Sequence, residues 1–600
     1  MTAKSHGSVH AKRMYLFILF FFFVVPLAVV VSVKIFSKPP AVLLGSREAA
    51  QSERRITFLT VNDIYRLDGV SEGGGLTRLR TLRKWIERDA PNAILIHAGD
   101  FLAPSLISNV FKGEQMIDVM NHLDGEGRAF DPRMFVAIGN HEFDDSRCDR
   151  APAPLMQRLE ESRFTWLVSN LDFSNCPSMK ALPAHGNVKT DGAIVEVNQM
   201  KIGVFGIGLT PDKINGKVGG SQYPRSEDEV VAARRAIQYL RGRGAEFVVA
   251  VTHLSQEDDQ ALIDKLASQG LDLLVGGHDH TSMVLRDSAK VARGFKADSD
   301  GRTAWRIDVT MSDGGKPPRI EAQLIKLNTA IPPDINISEL AALWSARAGK
   351  VICESRAKRK NEPDNPDCLL TTIGRTQSVI ELEEEANRSQ ETGIGNWLAD
   401  LIMEETGADV AIVNSGILGL NDDLPAGTEL LLRHVIEIFR YDDVIAVRSF
   451  PAKQVCDALK HGFTRPGSGA WPHVGGVRVG VRKSSEQRNE VSAIRFKKPD
   501  VSCESSTDIK VAAVPFLLCG GDEYPLKANN LGTDKCQESI RDNPFNDPPD
   551  RKREGRRFSD VAEAKIRAAG KITGIEPEND GRVYLPKRET ATGTPPVQYR

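Results

Sequence analysis

The chain has 600 residues and a formal net charge of −2. That length exceeds one hydrophobic core, so two domains of unequal size are expected, and the near-neutral balance gives no electrostatic basis for binding a nucleic-acid polymer. Eight cysteines, an even number, fit an oxidising compartment with up to four disulfides; Cys353/Cys368 and Cys503/Cys536 are plausible local pairs, with the connectivity left open.

Residues 1–13 form a short polar tail. Met14–Val33 is an uncharged apolar run of 20 residues, long enough to cross a bilayer as a helix. A secretory signal core is shorter, roughly 7–15 residues, and ends in a small-residue cleavage site, which is not evident here. The segment therefore reads as an uncleaved, single-pass N-terminal signal-anchor. Lys4, Lys12 and Arg13 before it lean towards a cytoplasmic N-terminus. The remaining chain is then extracellular, lumenal or periplasmic. Residues 34–54, with Pro39-Pro40, read as a linker.

Residues 55–330 alternate strand-like and helix-like stretches, the pattern of an α/β domain; Gly75–Arg88 and Glu227–Arg241 have helical spacing. At Pro332-Pro333 the pattern breaks. Residues 331–374 read as an interdomain connection containing a helix, Ile337–Ala348, with Ser338 as N-cap, and Pro332–Lys350 is the candidate hinge. Residues 375–590 read as a second α/β domain, with a helix over Gly393–Thr406, a strand over Val410–Val413, and a strand over Val511–Leu518 leading to Gly520-Gly521-Asp522. The stretch Asp542–Arg557, rich in Pro, Asp and Arg, reads as a solvated loop. Asn336 and Asn387 head glycosylation sequons.

Five strand-like runs in the first domain end at once in side chains able to bind metal. Ile56–Val61 runs into Asn62-Asp63, and Ala93–His97 into Gly99-Asp100. Phe135–Ile138 runs into Gly139-Asn140-His141-Glu142-Phe143-Asp144, Phe247–Val251 into Thr252-His253, and Leu271–Val275 into Gly276-Gly277-His278-Asp279-His280. Open α/β sheets hold ligands beyond the carboxyl ends of their strands, so neighbouring strands would bring these tips together. Carboxylate, amide and imidazole donors suit hard or borderline cations, and two cations about 3.5–4 Å apart clamp both oxygens of a phosphoryl transfer. Asp100 is the natural bridging carboxylate. One His or Asp after a strand is usually structural; five in order, each behind a strand, are not a chance pattern.

These motifs resemble those of the calcineurin-like metallophosphoesterases, and within them the two-domain 5′-nucleotidase, UDP-sugar hydrolase and 2′,3′-cyclic phosphodiesterase family, over about residues 55–590. Gly74-Gly75-Leu76 also matches the family's entry to its first helix. The resemblance implies an N-terminal four-layer α/β/β/α sandwich followed by an α/β substrate-binding domain. It implies that Asp63, Asp100 and His280 hold one metal, and that Asp100, Asn140, His253 and His278 hold the other. It implies that His141 and Asp144 form the catalytic pair, with His141 stabilising or protonating the leaving oxygen. The implied cofactors are two divalent ions (Zn, Mn, Mg or Co, with Fe as a further option). The implied activity is hydrolysis of phosphate esters, nucleotides first, by a hydroxide that the two metals activate. Where the family has a histidine, this chain has Tyr65. Two alternatives stand there: a phenolate ligand to a trivalent ion, or no ligand and a looser first site.

In the resembling enzymes the second domain carries the substrate pocket. By that likeness Tyr441 and Phe516 sandwich the base, Asp522 binds the ribose, and Arg388 and Asn414 complete the substrate set. The phosphate-gripping arginine of the family's Asn-Gly-Gly-x-x-Arg step is replaced by Gly419, which weakens grip on a dianionic monophosphate. The turn Trp471–Gly476 reads as structural. The rival readings are a UDP-sugar hydrolase or cyclic-nucleotide phosphodiesterase on the same scaffold, and a non-catalytic surface protein that reuses the fold.

Overall fold

The computed structural model describes residues 54–71, 73–125, 127, 129–211, 222–311, 317–439, 441, 443–484, 488–531, 533–542, 556–570 and 582–584. The expected anchor at 14–33 and most of the expected loop at 542–557 lie outside the described residues. Among the described residues no helix is long and apolar enough to cross a membrane.

The first domain is built from two sheets packed face to face. In one, the strands run in the order Arg319–Lys326, Thr303–Thr310, Arg55–Val61, Ile94–His97, Met134–Ala137, Thr165–Leu167, Val188–Lys189. In the other the order is Met283–Arg286, Ala292–Lys296, Leu273–Gly276, Phe247–Thr252, Met200–Ile207, Ala193–Val197. Arg55–Val61, Ile94–His97 and Met134–Ala137 are mutually parallel, as are Met200–Ile207, Phe247–Thr252 and Leu273–Gly276. Alternate side chains of the two sheets, Phe58, Ile96, Phe135, Val204, Phe247, Val249, Val275 and Ile307 among them, form the dry layer between them. The helices Gly75–Asp89, Glu114–Asn121 and Pro154–Glu161 cover the outer face of the first sheet, and Glu229–Gly242 and Gln256–Leu266 cover that of the second. The result is a four-layer α/β/β/α sandwich. Central strands buried on both faces explain why their sequences are continuous apolar runs rather than alternating ones.

Local signals set the element ends. Asp228 caps Glu229–Gly242 by accepting from the Val230 and Val231 amides, and Ser255 caps Gln256–Leu266 by accepting from the Asp258 amide. Gly74 and Gly75 enter the first helix with φ of 75° and 76°. A Cβ on Gly74 would lie 2.4 Å from the Asp300 carbonyl oxygen, so only glycine fits.

The connection is one continuous helix, Ile335–Lys360, twice the expected length. Its N-cap is Asp334, whose carboxylate accepts from the Asn336 and Ile337 amides, and not Ser338, whose hydroxyl instead bonds the Asp334 carbonyl. Ile337, Ala341 and Trp344 pack on the first domain. At the other end Arg356, Arg359 and Lys360 pair with Asp560 and Glu563 of the second.

In the second domain the sheet order is Ala446–Pro451, Asp508–Ala513, Val410–Asn414, Pro472–Gly475, with the helix Gly393–Thr406 capped by Thr392 and closed by Gly407 at φ 66°. The expected strand over Val511–Leu518 is instead a strand, Asp508–Ala513, followed by a short helix, Pro515–Leu518. Pro515 has no amide to give a ladder, and its fixed φ suits the first helical position. All eight cysteines are paired: Cys148–Cys176, Cys353–Cys368, Cys456–Cys503 and Cys519–Cys536. The expected Cys353–Cys368 pair is present. Cys503 does not pair with Cys536; it meets Cys456 on the helix Ala452–Phe463, while Cys536 meets Cys519 at the end of Pro515–Leu518.

Candidate metal centre

The five strand ends converge. Donor atoms of Asp63, Asp100 and His253 all lie within 4.8 Å of one another, and the three residues are buried. His253 Nε2 is 3.0 Å from Asp100 Oδ2 and 3.9 Å from Asp63 Oδ1. His280 Nε2 is 3.2 Å from Asp63 Oδ1. The His253 and His278 rings stand 5.3 Å apart between centroids. His141 donates its backbone N–H to Asp100 Oδ1 at 2.8 Å, and its Nδ1 lies 2.9 Å from Asp144 Oδ2. The Tyr65 hydroxyl sits among the same donors, 3.3 Å from Asp63 Oδ1, 3.3 Å from Asp100 Oδ2 and 3.1 Å from His280 Nε2.

The backbone is bent to achieve this. Asp63, Asp100, His278 and His280 have φ of 52°, 57°, 81° and 60°, the left-handed region that non-glycine residues rarely enter. Such strain concentrates where function demands it. Gly139 and Gly277 make room: a Cβ at Gly139 would lie 2.1 Å from Asp100 Oδ1, and one at Gly277 would lie 2.9 Å from Asp63 Oδ2.

The donor set fits divalent cations. The His253 Nδ1 donates to the Ala98 carbonyl at 2.7 Å, so Nε2 is the nitrogen turned to the carboxylates and available to a cation. The Asn140 Oδ1 is buried with no hydrogen-bond partner. Burial disfavours charge on His253, yet the Asp100 and Asp63 carboxylates outweigh it and raise its pKa to about 9. Burial likewise opposes ionisation of Asp63, but His280 and His253 hold its carboxyl well below the usual range. Two buried carboxylates, an imidazole nitrogen and an unpartnered amide oxygen turned to one point suit a cation at their focus.

Residues that the sequence reading gave no task support the centre. Glu142 accepts from the amides of Asp100, Phe101, Leu102 and Gly139. Burial and the Asp100 carboxylate push its pKa up to about 7, against those donors. Buried Lys296 pairs with Asp259 at 2.7 Å and with Asp279, and donates to the carbonyls of Leu254 and Gly277, tying the His253 and His278 loops together. From the second domain, Glu384 contacts His280 Nδ1. Glu142 sat inside a motif without an assigned task; Lys296 and Glu384 carried no local signal.

Of the second-domain candidates, Asn414 and Asp522 are in contact, and Arg388 is tied to Glu384. The Asn414 amide donates to Asp522 Oδ2 at 3.1 Å, and its own Oδ1 is buried without a partner. Burial raises the Asp522 pKa, opposed by the Asn414 hydrogen bond and the Arg388 charge. Arg388 gives Nη2 to Glu384 Oε1 at 2.5 Å, leaving its buried Nε without a partner. Phe516 is half-buried beside Gly521, where a Cβ would strike its ring at 2.5 Å, and Tyr441 is exposed. Asn387, expected as a sequon, is buried; its amide donates to the Glu381 and Glu383 carbonyls, so it offers no nitrogen to a glycan.

A four-layer sandwich with acidic, amide and imidazole donors at the ends of its strands defines the class of metal-dependent phosphoesterases. The calcineurin-like phosphoesterase family matches residues 56–282, and the 5′-nucleotidase C-terminal domain matches residues 372–528. The chain belongs to the calcineurin-like phosphoesterases that carry a 5′-nucleotidase C-terminal domain, and it is a metal-dependent phosphoric ester hydrolase. It is 23% identical over 78% of its length to the trifunctional nucleotide phosphoesterase protein YfkN of Bacillus subtilis, matching 32% of that much longer protein. It is 22% identical over 82% of its length to the human 5′-nucleotidase, covering 89% of it. In structure it resembles the 5′-nucleotidase precursor from Thermus thermophilus, with a TM-score of 0.69 and 20% identity over 89% of this chain and 100% of that one.

Proposed function

We propose that this protein is a nucleotidase that removes phosphate from nucleoside monophosphates, anchored to a membrane by residues 14–33 with both domains on the oxidising side. The names of the relatives and the four disulfides support that reading. The observation that carries the chemistry is the meeting of Asp63, Asp100 and His253 at one buried point beside the His141–Asp144 pair.

Asp63, Asp100 and His280 are assigned to one cation, and Asp100, Asn140, His253 and His278 to the other. When bound, two divalent cations neutralise the phosphoryl charge and activate a water for attack. The Asp144 carboxylate takes the His141 Nδ1–H and stabilises the charged ring, leaving Nε2–H to donate to the leaving ester oxygen. Arg388, already at the domain boundary through Glu384, grips the phosphate with its free Nε. Asn414 and Asp522 bind the ribose hydroxyls, and Phe516 and Tyr441 flank the base.

The test is phosphate release from a panel of nucleoside monophosphates, UDP-sugars and cyclic nucleotides by the full chain in detergent, after chelation and after restoring Mn, Zn or Co. The proposal expects monophosphates to be hydrolysed fastest and only with metal. Faster turnover of the diesters, for which the Gly419 replacement of an arginine would matter less, would reject it.

A further inference from the structure

The imidazole of His280 has two nitrogens, and the two domains hold one each. Nε2 faces Asp63 of the first domain, 3.2 Å away. Nδ1 meets Glu384 Oε2, which belongs to the second domain. The other oxygen of the same carboxylate takes Arg388 Nη2 at 2.5 Å. One buried carboxylate therefore touches both a candidate metal ligand and the candidate phosphate-binding arginine.

The contact is braced. The Glu384 amide donates to Asn421 Oδ1 at 3.0 Å, and the Asn421 side-chain amide reaches back to Ser299 Oγ and Asp300 Oδ2, both at 3.2 Å. Further bonds cross the same boundary: Arg66 to the Leu420 carbonyl at 2.8 Å, Ser71 Oγ to Asp422 Oδ1 at 2.7 Å, and Arg302 to the Asn421 carbonyl. These bonds set the height and angle at which Glu384 meets the ring.

A histidine ligates through a lone pair, and the hydrogen bond at its other nitrogen decides which nitrogen that is. With Nδ1–H given to Glu384, the Nε2 lone pair points towards Asp63 and the centre. His253 obtains the same setting from the Ala98 carbonyl of its own domain. His280 obtains it from the other domain.

We propose that Glu384 is a positioning residue lent by the second domain to the metal centre, so that seating of the two domains and occupancy of the His280 metal position strengthen each other. The inference rests on the assignment of His280 as a ligand. Coupling of this kind is reciprocal: whatever factor seating adds to metal affinity, metal adds to seating. It gives a reason for the hydrolytic centre to be complete only while the substrate domain is in place.

The experiment uses the full chain in detergent and zinc as the probe. Zinc affinity and stoichiometry are read by competition with a fluorescent chelator for wild type, Glu384→Ala, Glu384→Gln and His280→Ala. Amide hydrogen exchange over residues 299–302 and 418–424 is read with zinc and after chelation. In wild type zinc is expected to slow exchange in both segments. Glu384→Ala is expected to lower the affinity of one zinc by about 10–100-fold, as loss of a ligand's hydrogen-bond partner does, and to abolish the zinc effect on exchange. Glu384→Gln keeps an acceptor for Nδ1–H and is expected to recover most of the zinc affinity; it also guards against misfolding of the alanine variant. If Glu384→Ala binds both zinc ions as tightly as wild type and keeps zinc-dependent protection, the inference is wrong, even with His280→Ala losing one zinc. If His280→Ala itself retains two tight zinc ions, the ligand assignment beneath it is wrong instead.

Discussion

The Glu142 carboxylate accepts the backbone N–H of Asp100 at 3.0 Å, and with it the amides of Phe101, Leu102 and Gly139. One side chain thus locks the turn after Ile94–His97 to the turn after Met134–Ala137. Glu142→Gln turns one acceptor into a donor facing a buried N–H. An unsatisfied buried group costs about 1–3 kcal/mol. Denaturant unfolding of the chelated protein should show a loss of that size; an unchanged midpoint would mean that the turns hold themselves.

His141→Ala should separate chemistry from binding. The His141 ring bonds Asp144 and is not in the proposed ligand set. Turnover is expected to fall by about 10²–10⁴-fold, the usual worth of a positioned acid, while metal content measured by emission spectrometry stays at the wild-type level. Loss of metal in step with activity would move His141 into the coordination shell.

Asp100→Ala should do the reverse. Asp100 Oδ2 lies 3.0 Å from His253 Nε2, and Oδ1 takes the His141 amide. Without that carboxylate both metals are expected to be lost on dialysis, and phosphate release with them. A protein still carrying two ions would show that Asp100 does not bridge.

Gly139→Ala tests how tightly the centre is packed. Its Cβ would fall 2.1 Å from Asp100 Oδ1, so the carboxylate must move. Metal affinity should drop at least tenfold with the circular dichroism spectrum unchanged, because a buried ligand shifted by a fraction of an ångström no longer shares one focus.

His473 offers a pH test remote from the metals. It is buried against Gly395 and Ser415, and burial lowers its pKa from 6.5 to about 4. The unfolded chain therefore binds a proton between pH 6.5 and 4 that the folded chain refuses. Stability from this group is present above pH 6.5 and lost as pH falls to about 4, about 3 kcal/mol in all. His473→Gln should flatten that part of the stability profile; the same acid-side slope in both proteins would assign it elsewhere.

The sequence alone located the strand ends Asp63, Asp100, Asn140, His253 and His278 because each follows a buried apolar run, and a run buried on both faces is legible without its neighbours. Helices with their own caps, such as Gly393–Thr406, were legible for the same reason. Val511–Leu518 misled because apolar content cannot tell a strand from a short helix, and Pro515 decided the matter. Cys503 misled because which cysteines meet is set by how their elements pack: Cys536 takes Cys519, and Cys503 reaches back 47 residues to Cys456. Ser338 misled because the helix begins earlier, at the Asp334 cap.

What tertiary structure alone decided is the set of contacts made across long separations. Glu384 reaches His280 over 104 residues, and Asn62 bonds Ala297 over 235. Lys296 lies in an ordinary edge-side strand, yet its buried ammonium gathers Asp259, Asp279 and two carbonyls. A local pattern records burial and backbone preference, which neighbours along the chain determine. The partner of a buried charge is determined by which distant elements the packing brings within hydrogen-bond reach, and no spacing in the sequence encodes that.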